Sequence, residues 1–440
     1  MKNSFFKIAL TIALLSMAIV FASCSHKDTE IAGSHTNLKV LLDSAKTLFQ
    51  AFDALPNEQK LKKTEMLETS IALLTKVLKE VPKSAEANYY MGYASELELS
   101  GGTGVLNFNL INRENTETVS NYFETACADT SFVPDYKLSC KSKIANLWTT
   151  LALNYMIKGK TDSVETAFAR ADELGSFTPA NVEYARNVLN DLDRNAILFV
   201  DTDLEISLFW FLQYMMNYRA DVSVISTQML DYQWYAKWLG FPANFTTTVQ
   251  TGISDAELSK LYSDTSAITT APRMNFAGSQ ITVIGRGKDS SQMVFPVNDL
   301  ISLRIISHNI GNRPIYFTVN ASKTLPHSIG LGNYISLSGL VVLLHKNIIG
   351  ISESVDGQWI ADRITNHYSF TEAAKQHSYT DRDFEFFSDI YRMMFDQEFY
   401  YFKGFSKEKE IPENIINVFN KVFPEKRFAR TEEENKLLDL

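Results

Sequence analysis

The chain has 440 residues, 45% of them hydrophobic and 12% aromatic, which is enough apolar material for two folded domains and too much for a disordered chain. A formal net charge of -9 excludes nucleic acid as a partner, because phosphate backbones demand clustered Lys and Arg. It also gives no electrostatic pull toward anionic lipid.

Lys2 and Lys7 precede the apolar run Ile8 to Phe21, which ends in Ala22-Ser23-Cys24. A membrane-spanning helix needs about 20 apolar residues and this run is shorter, so the pattern predicts a lipoprotein signal peptide over 1–23. Cleavage leaves Cys24 as the acylated residue, and its acyl (palmitoyl-type) chains tie the mature protein to a membrane at about 0.8 kcal/mol per buried methylene. Residues 24–36, beginning Ser25-His26-Lys27-Asp28-Thr29-Glu30, carry no apolar period and read as a flexible tether. The Lys-plus-acidic stretch loosely resembles the export signal of surface lipoproteins of Bacteroidota. The expected address is the cell envelope, at the outer membrane, with the periplasmic and surface faces both open. The longest later apolar stretch, Ile329 to Leu344, is broken by Gly330, Gly332, Asn333 and Gly339.

Residues 37–192 repeat apolar positions at helical spacing. One helix is predicted near Thr64 to Lys79, burying Leu67, Ile71, Leu74 and Leu78, and a second begins after the capping Ser84. Gly101-Gly102-Thr103-Gly104 interrupts the pattern, followed by one aromatic helix before Phe132. Cys127 and Cys140 flank Pro134; in an oxidising compartment they either form a disulfide worth on the order of 3 kcal/mol or stay as two buried thiols. Trp148, Leu151, Ala152 and Tyr155, followed by Gly159, Phe168 and Ala171, then resemble the two helices of a tetratricopeptide repeat. Val164 departs from that pattern where a small Ala is usual. An earlier unit keeps Met91-Gly92 and Pro82 but has Asn88 in place of the aromatic anchor. The resemblance implies a short array that presents a surface to a protein segment or braces the rest of the chain, and that needs the C-terminal half to close it.

Residues 193–375 change texture. Ala196 to Val200 is a continuous apolar run, Ile206 to Met216 an apolar helix and Val222 to Ser226 a second run, which together predict a parallel βαβ unit. Strands are expected at Gln280 to Ile284, Pro314 to Val319 and Val341 to His345, and a helix near Asp299 to Asn309. The fold class is thus α plus α/β: a tetratricopeptide-like helical array, an α/β domain with a mixed, largely parallel sheet, and a C-terminal aromatic-rich helical segment over 376–440.

The blocks Asn195-Ala196-Ile197-Leu198-Phe199, Phe209-Trp210-Phe211-Leu212-Gln213, Arg219 to Val224 and Gln233-Trp234-Tyr235 resemble the soluble C-terminal region of Bacteroidota membrane proteins related to protein O-mannosyltransferases. Arg313 to Phe317, Leu331 to Tyr334, Leu337 to Leu340 and Ile390 to Met394 continue the resemblance in order. It implies a fold and an envelope setting. Transfer chemistry in that family belongs to its polytopic membrane half, and the turn after the first strand departs from the family's G-D-N-D-T, reading Asp201-Thr202-Asp203-Leu204-Glu205.

Asp201 and Asp203, at the carboxyl end of a strand, are placed where acidic pairs hold Mg2+ or phosphate. The competing reading makes Asp203 the cap of a helix beginning at Leu204, with Glu205 at its positive end. No phosphate loop or hydrolase elbow accompanies them. Gly285-Arg286-Gly287-Lys288 reads as a tight turn, and His308, His327, His345, His367 and His377 show no metal spacing. Trp234, Tyr235, Trp238 and Phe241 form either a sugar-stacking platform or core. The tail, with Phe384, Phe386, Phe387, Tyr391, Phe395 and Phe399 to Phe402, must be buried, whereas Glu432 to Lys436 read as a solvated helix end. The expectation is a non-catalytic binding or scaffolding subunit without a cofactor, held by lipid and by an envelope protein partner. A Mg2+-dependent enzyme acting through Asp201 and Asp203 and a surface glycan-binding lipoprotein are the alternatives.

Overall fold

The computed structural model describes residues 30–56, 59–100, 110–134, 139–240, 249–263, 273–286, 294–350, 353–376, 382–406 and 410–438. The expected signal peptide, Cys24 and Phe241 lie outside the described residues, as do Gly101 to Gly104, Gly287 and Lys288. Two compact units divide between Leu106 and Asn107. The expected domain edges at 193 and 376 both fall inside the second.

The first unit packs three helices, α1 (Glu30–Ala54), α2 (Lys60–Glu80) and α3 (Ala85–Leu99), in sequence. Residues 30–36 of the expected tether are the first turns of α1. Ser84 caps α3 as predicted, accepting from the Ala87 N–H at 3.3 Å. Asn88, the substitute for the aromatic anchor, is buried and uses its amide to hold the preceding turn, donating to the carbonyls of Pro82 (2.9 Å) and Ser84 (2.8 Å). Phe49 stacks on Tyr90 with centroids 5.6 Å apart.

The second unit begins with α4 (Arg113–Cys127), α5 (Cys140–Ile157), α6 (Thr161–Glu173) and α7 (Pro179–Asn190). Helices α5 and α6 pack against each other across the short connection 158–160. Trp148, Leu151, Ala152, Phe168 and Ala171 are buried, and Tyr155 is half-buried. Trp148 reaches back to α4, donating from Nε1 to Ser120 Oγ at 3.2 Å. Removing a fully buried indole leaves a large cavity, so Trp148→Ala is expected to lower stability by about 3–5 kcal/mol in urea unfolding followed by tryptophan fluorescence and far-UV circular dichroism. Cys127 is half-exposed at the end of α4, and Cys140 is buried at the start of α5.

The sheet has the order β2–β1–β5–β7–β6, with β1 (Ile197–Val200), β2 (Ser223–Ser226), β5 (Ile315–Thr318), β6 (Ile335–Ser338) and β7 (Val341–Leu344). Strand β1 runs parallel to both neighbours, and β5 meets the β6–β7 hairpin antiparallel through β7. A separate hairpin pairs β3 (Arg273–Phe276) with β4 (Ser279–Thr282). All four residues of β1, β2 and β5 are buried, which is why their sequences are continuous rather than alternating apolar runs. Helix α8 (Asp203–Met216) joins β1 to β2 and also packs on α5, α6 and α7. Phe211 of α8 stacks on Phe177 at 4.0 Å, so α8 packs on the helices of the second unit.

The remaining helices are α9 (Gln233–Leu239), α10 (Asp255–Ser263), α11 (Val297–Asn309), α12 (Val319–Ser322), α13 (Leu325–Ser328), α14 (Gly357–Asp362), α15 (Arg382–Gly404), α16 (Glu413–Val422) and α17 (Glu432–Leu437). Phe387, Tyr391, Phe395, Phe399 and Phe402 of α15 are buried, Tyr391 and Phe387 against Tyr184 of α7. Glu432 and Lys436 of the final helix are exposed as expected, but Glu434 is 1% exposed, completes a capping box with Thr431 and takes a bidentate pair from Arg392 of α15.

Candidate functional site

In an open α/β sheet, ligands bind outside the carboxyl ends of the strands where the chain reverses direction across the sheet. Here the chain leaves β1 for β2 on one side and later returns to β5 on the other, so that point lies between β1 and β5. Asp201 and Thr202 follow β1, Thr227 follows β2, and Thr318 ends β5.

Thr202 and Thr318 converge on Glu205. Its fully buried carboxyl accepts from Tyr184 Oη at 3.2 Å, Thr202 Oγ1 at 3.0 Å and Thr318 Oγ1 at 3.2 Å, from positions 21 residues before it and 113 after it. Burial pushes its pKa up to about 7 against the pull of these donors. Above it Phe387 stacks on Tyr184 at 4.1 Å and Tyr391 meets Tyr184 edge-on. The crevice that usually takes a ligand is filled by this chain's own side chains.

The cap of α8 is Thr202, whose hydroxyl accepts from the Glu205 N–H at 3.3 Å; Asp203 is the first helical residue and is exposed. The expected cap at Asp203 is thus corrected by one position, and Glu205 is a core group rather than a surface charge at the helix end. Asp201 Oδ1 accepts from Thr227 Oγ1 at 2.5 Å, tying β1 to β2. Among the described residues no group of three or more His, Cys, Asp or Glu is arranged to hold a metal ion, so Asp201 and Asp203 belong to none. Sequence reading missed Glu205 and Tyr184. The T-x-x-E spelling of Thr202 and Glu205, which marks a capping box, was the available signal.

The other candidates sort as follows. Arg286 pairs with buried Asp299 at 2.5 Å and exchanges backbone hydrogen bonds with Val294. Tyr235 and Trp238 are buried and stacked at 5.7 Å, so they belong to the core; Trp234 is half-buried beside them. His308, His345 and His367 bond to Arg304 O, Ser336 Oγ and Asp362 in turn.

A second buried acid, Asp191, sits after α7. It accepts from Tyr368 Oη and, through Oδ2, from the Leu340 N–H at 3.1 Å, with Arg363 Nε 3.8 Å away. Burial raises its pKa to about 7. At the opposite edge of the sheet buried Arg313 donates to the carbonyls of Asn195 (2.7 Å) and Ala196 (3.0 Å) and to Ser223 Oγ (2.8 Å), fixing the amino ends of β1 and β2.

Residues 181–285 match the family described as TMEM260-associated domain 2. That stretch runs from α7 through β4, about a quarter of the chain, and contains Tyr184, Asp191, Asp201, Glu205 and Thr227. The blocks from Arg313 to Met394 lie beyond it. No curated protein and no solved structure matches the chain.

Proposed function

We propose that the protein is a non-catalytic, lipid-anchored component of the cell envelope, at the outer membrane, serving as a binding or scaffolding subunit of an envelope assembly. The observation that carries this reading is the filled crevice: Glu205, Tyr184, Thr202 and Thr318 occupy the position where an α/β enzyme seats its substrate. A sheet closed in this way offers partners its outer surfaces. The anchor rests on Lys2, Lys7, the run Ile8 to Phe21 and the small residues before Cys24.

Three experiments test it. Cys24→Ser is expected to abolish incorporation of labelled palmitate and to release the protein from the envelope fraction; retention of label elsewhere in the chain rules out this anchor. Mild crosslinking of intact envelopes followed by affinity purification is expected to recover a defined envelope protein in stable proportion. A thermal shift with Mg2+ that disappears in Asp201→Asn replaces the scaffold reading with an enzyme acting through Asp201 and Asp203.

A further inference from the structure

Away from the filled crevice, the second unit carries a cavity of about 330 Å3 along the outer side of α7, at the small end of the range for ligand pockets. Glu183, Arg186 and Asn190 line it from one stripe of α7, Tyr218 from the turn after α8, and His367 and Glu372 from the segment before α15. The wall is well supported. Glu183 accepts from Ser369 Oγ at 2.7 Å and from the backbone N–H groups of Glu372 and Ala373, and Tyr218 Oη donates to Asn190 Oδ1 at 2.6 Å.

Its formal charges cancel in number, Glu183 against Arg186 and Glu372 against Lys375. Glu183 and Arg186 lie one helical turn apart, His367 pairs with Asp362 at 3.0 Å, and Glu372 with Lys375 at 2.6 Å. The lining side chains Glu183, Arg186 and Glu372, taken with Lys375, therefore carry no net formal charge to favour an ion over a neutral ligand. What faces the space is a guanidinium, a carboxamide, carboxylates and the phenol ring of Tyr218, over which Arg186 lies at 5.6 Å. Guanidinium and amide groups donate pairs of hydrogen bonds and carboxylates accept pairs, the arrangement that adjacent hydroxyl groups satisfy because each both donates and accepts. A phenol ring adds an apolar surface with a polar tip.

We propose that this cavity binds a neutral saccharide, about one or two rings in size. Arg186 and Asn190 take its oxygens, Glu372 accepts its hydroxyl protons, and Tyr218 lies against a C–H face. The site is separate from the aromatic cluster around Trp234 and holds whether or not the scaffold reading stands.

Saturation-transfer NMR on the full-length protein, in a detergent without a sugar headgroup, tests it with methyl glycosides of glucose, galactose, mannose and N-acetylglucosamine, with maltose, and with glucuronate as the charged comparison. At least one neutral sugar is expected to bind saturably with a Kd on the order of 1–10 mM. Arg186→Ala and Tyr218→Ala are each expected to weaken it about tenfold or more with the unfolding midpoint kept, since neither residue is in the core; Trp234→Ala leaves it unchanged. Absence of saturation by every neutral sugar up to about 50 mM, preference for glucuronate, or binding that survives both substitutions overturns the proposal.

Discussion

Gly339→Val is expected to destabilise the second unit by roughly 3–5 kcal/mol, a large part of the 5–15 kcal/mol that holds a typical domain folded. Gly339 opens the two-residue turn of the β6–β7 hairpin with φ +72°, a left-handed conformation that β-branched residues resist. A Cβ there would stand 2.0 Å from Tyr368 Oη, 2.8 Å from Asp191 Oδ2 and 3.2 Å from the Trp359 ring. Tyr368 cannot give way cheaply, because its hydroxyl donates to Asp191 and accepts from the Leu340 N–H. Displacing it leaves a buried carboxyl short of a partner, at about 1–3 kcal/mol on top of the backbone strain. Urea unfolding checks the size. Tyr368→Phe in the same chain removes the nearest atom, so the double variant is expected to lose about 1 kcal/mol less than the sum of the single losses. Strict additivity would mean that the backbone conformation alone sets the cost.

The parts of this architecture that depend on local periodicity were legible. Of the expected buried face of α2, Leu67 and Leu74 are buried and Ile71 and Leu78 half-buried, with Val77 buried beside them; Trp148, Leu151, Ala152, Phe168 and Ala171 mark the α5–α6 pair; and β1, β2 and β5 stand out because each is buried on both sides. Strands β3 and β6 were missed for another reason: Arg273-Met274-Asn275-Phe276 and Ile335-Ser336-Leu337-Ser338 do alternate, but four residues, largely exposed or half-buried, are too few for the alternation to stand out. The cap of α8 was misplaced by one residue because Thr202 and Asp203 are both good capping residues and only the hydrogen bond decides between them. Glu205 and Asp191 were illegible in a stronger sense. An acid in the first turn of a helix, or just past the end of one, reads as a solvated charge; what buries these two are Thr318 and Leu340, more than a hundred residues away along the chain. A shorter separation, 42 residues, has the same effect on the helix at Glu432 to Lys436, whose sequence gives no hint that Arg392 will pair with Glu434.

Those buried acids set the pH dependence of stability. In the folded protein burial lifts Glu205 and Asp191 to about 7 and Glu398 to about 8, while in the unfolded chain each returns to the ordinary carboxylate range near 4. Below about pH 4 both states hold these protons and the three groups cost nothing. Between about pH 4 and pH 8 the unfolded chain releases protons that the folded chain keeps, so stability falls as pH rises, and it levels off above the folded values. Asp221 has the opposite sign: hydrogen bonds from Arg219 lower it to about 2, so its contribution is present above about pH 4 and is lost as the pH falls toward 2. The maximum is therefore expected on the acid side of neutrality, near pH 4–5. Glu205 alone accounts for about 3 kcal/mol of the fall toward pH 8. Glu205→Gln keeps an amide of the same shape among Tyr184, Thr202 and Thr318 but has no proton to release. Urea unfolding from pH 4.5 to 8.5 is expected to show this variant equal to or less stable than the parent at the acid end and more stable by about 2–3 kcal/mol at the alkaline end. A loss of equal size at every pH would show instead that Glu205 is ionised in the folded protein, held as a carboxylate by its three hydroxyl donors.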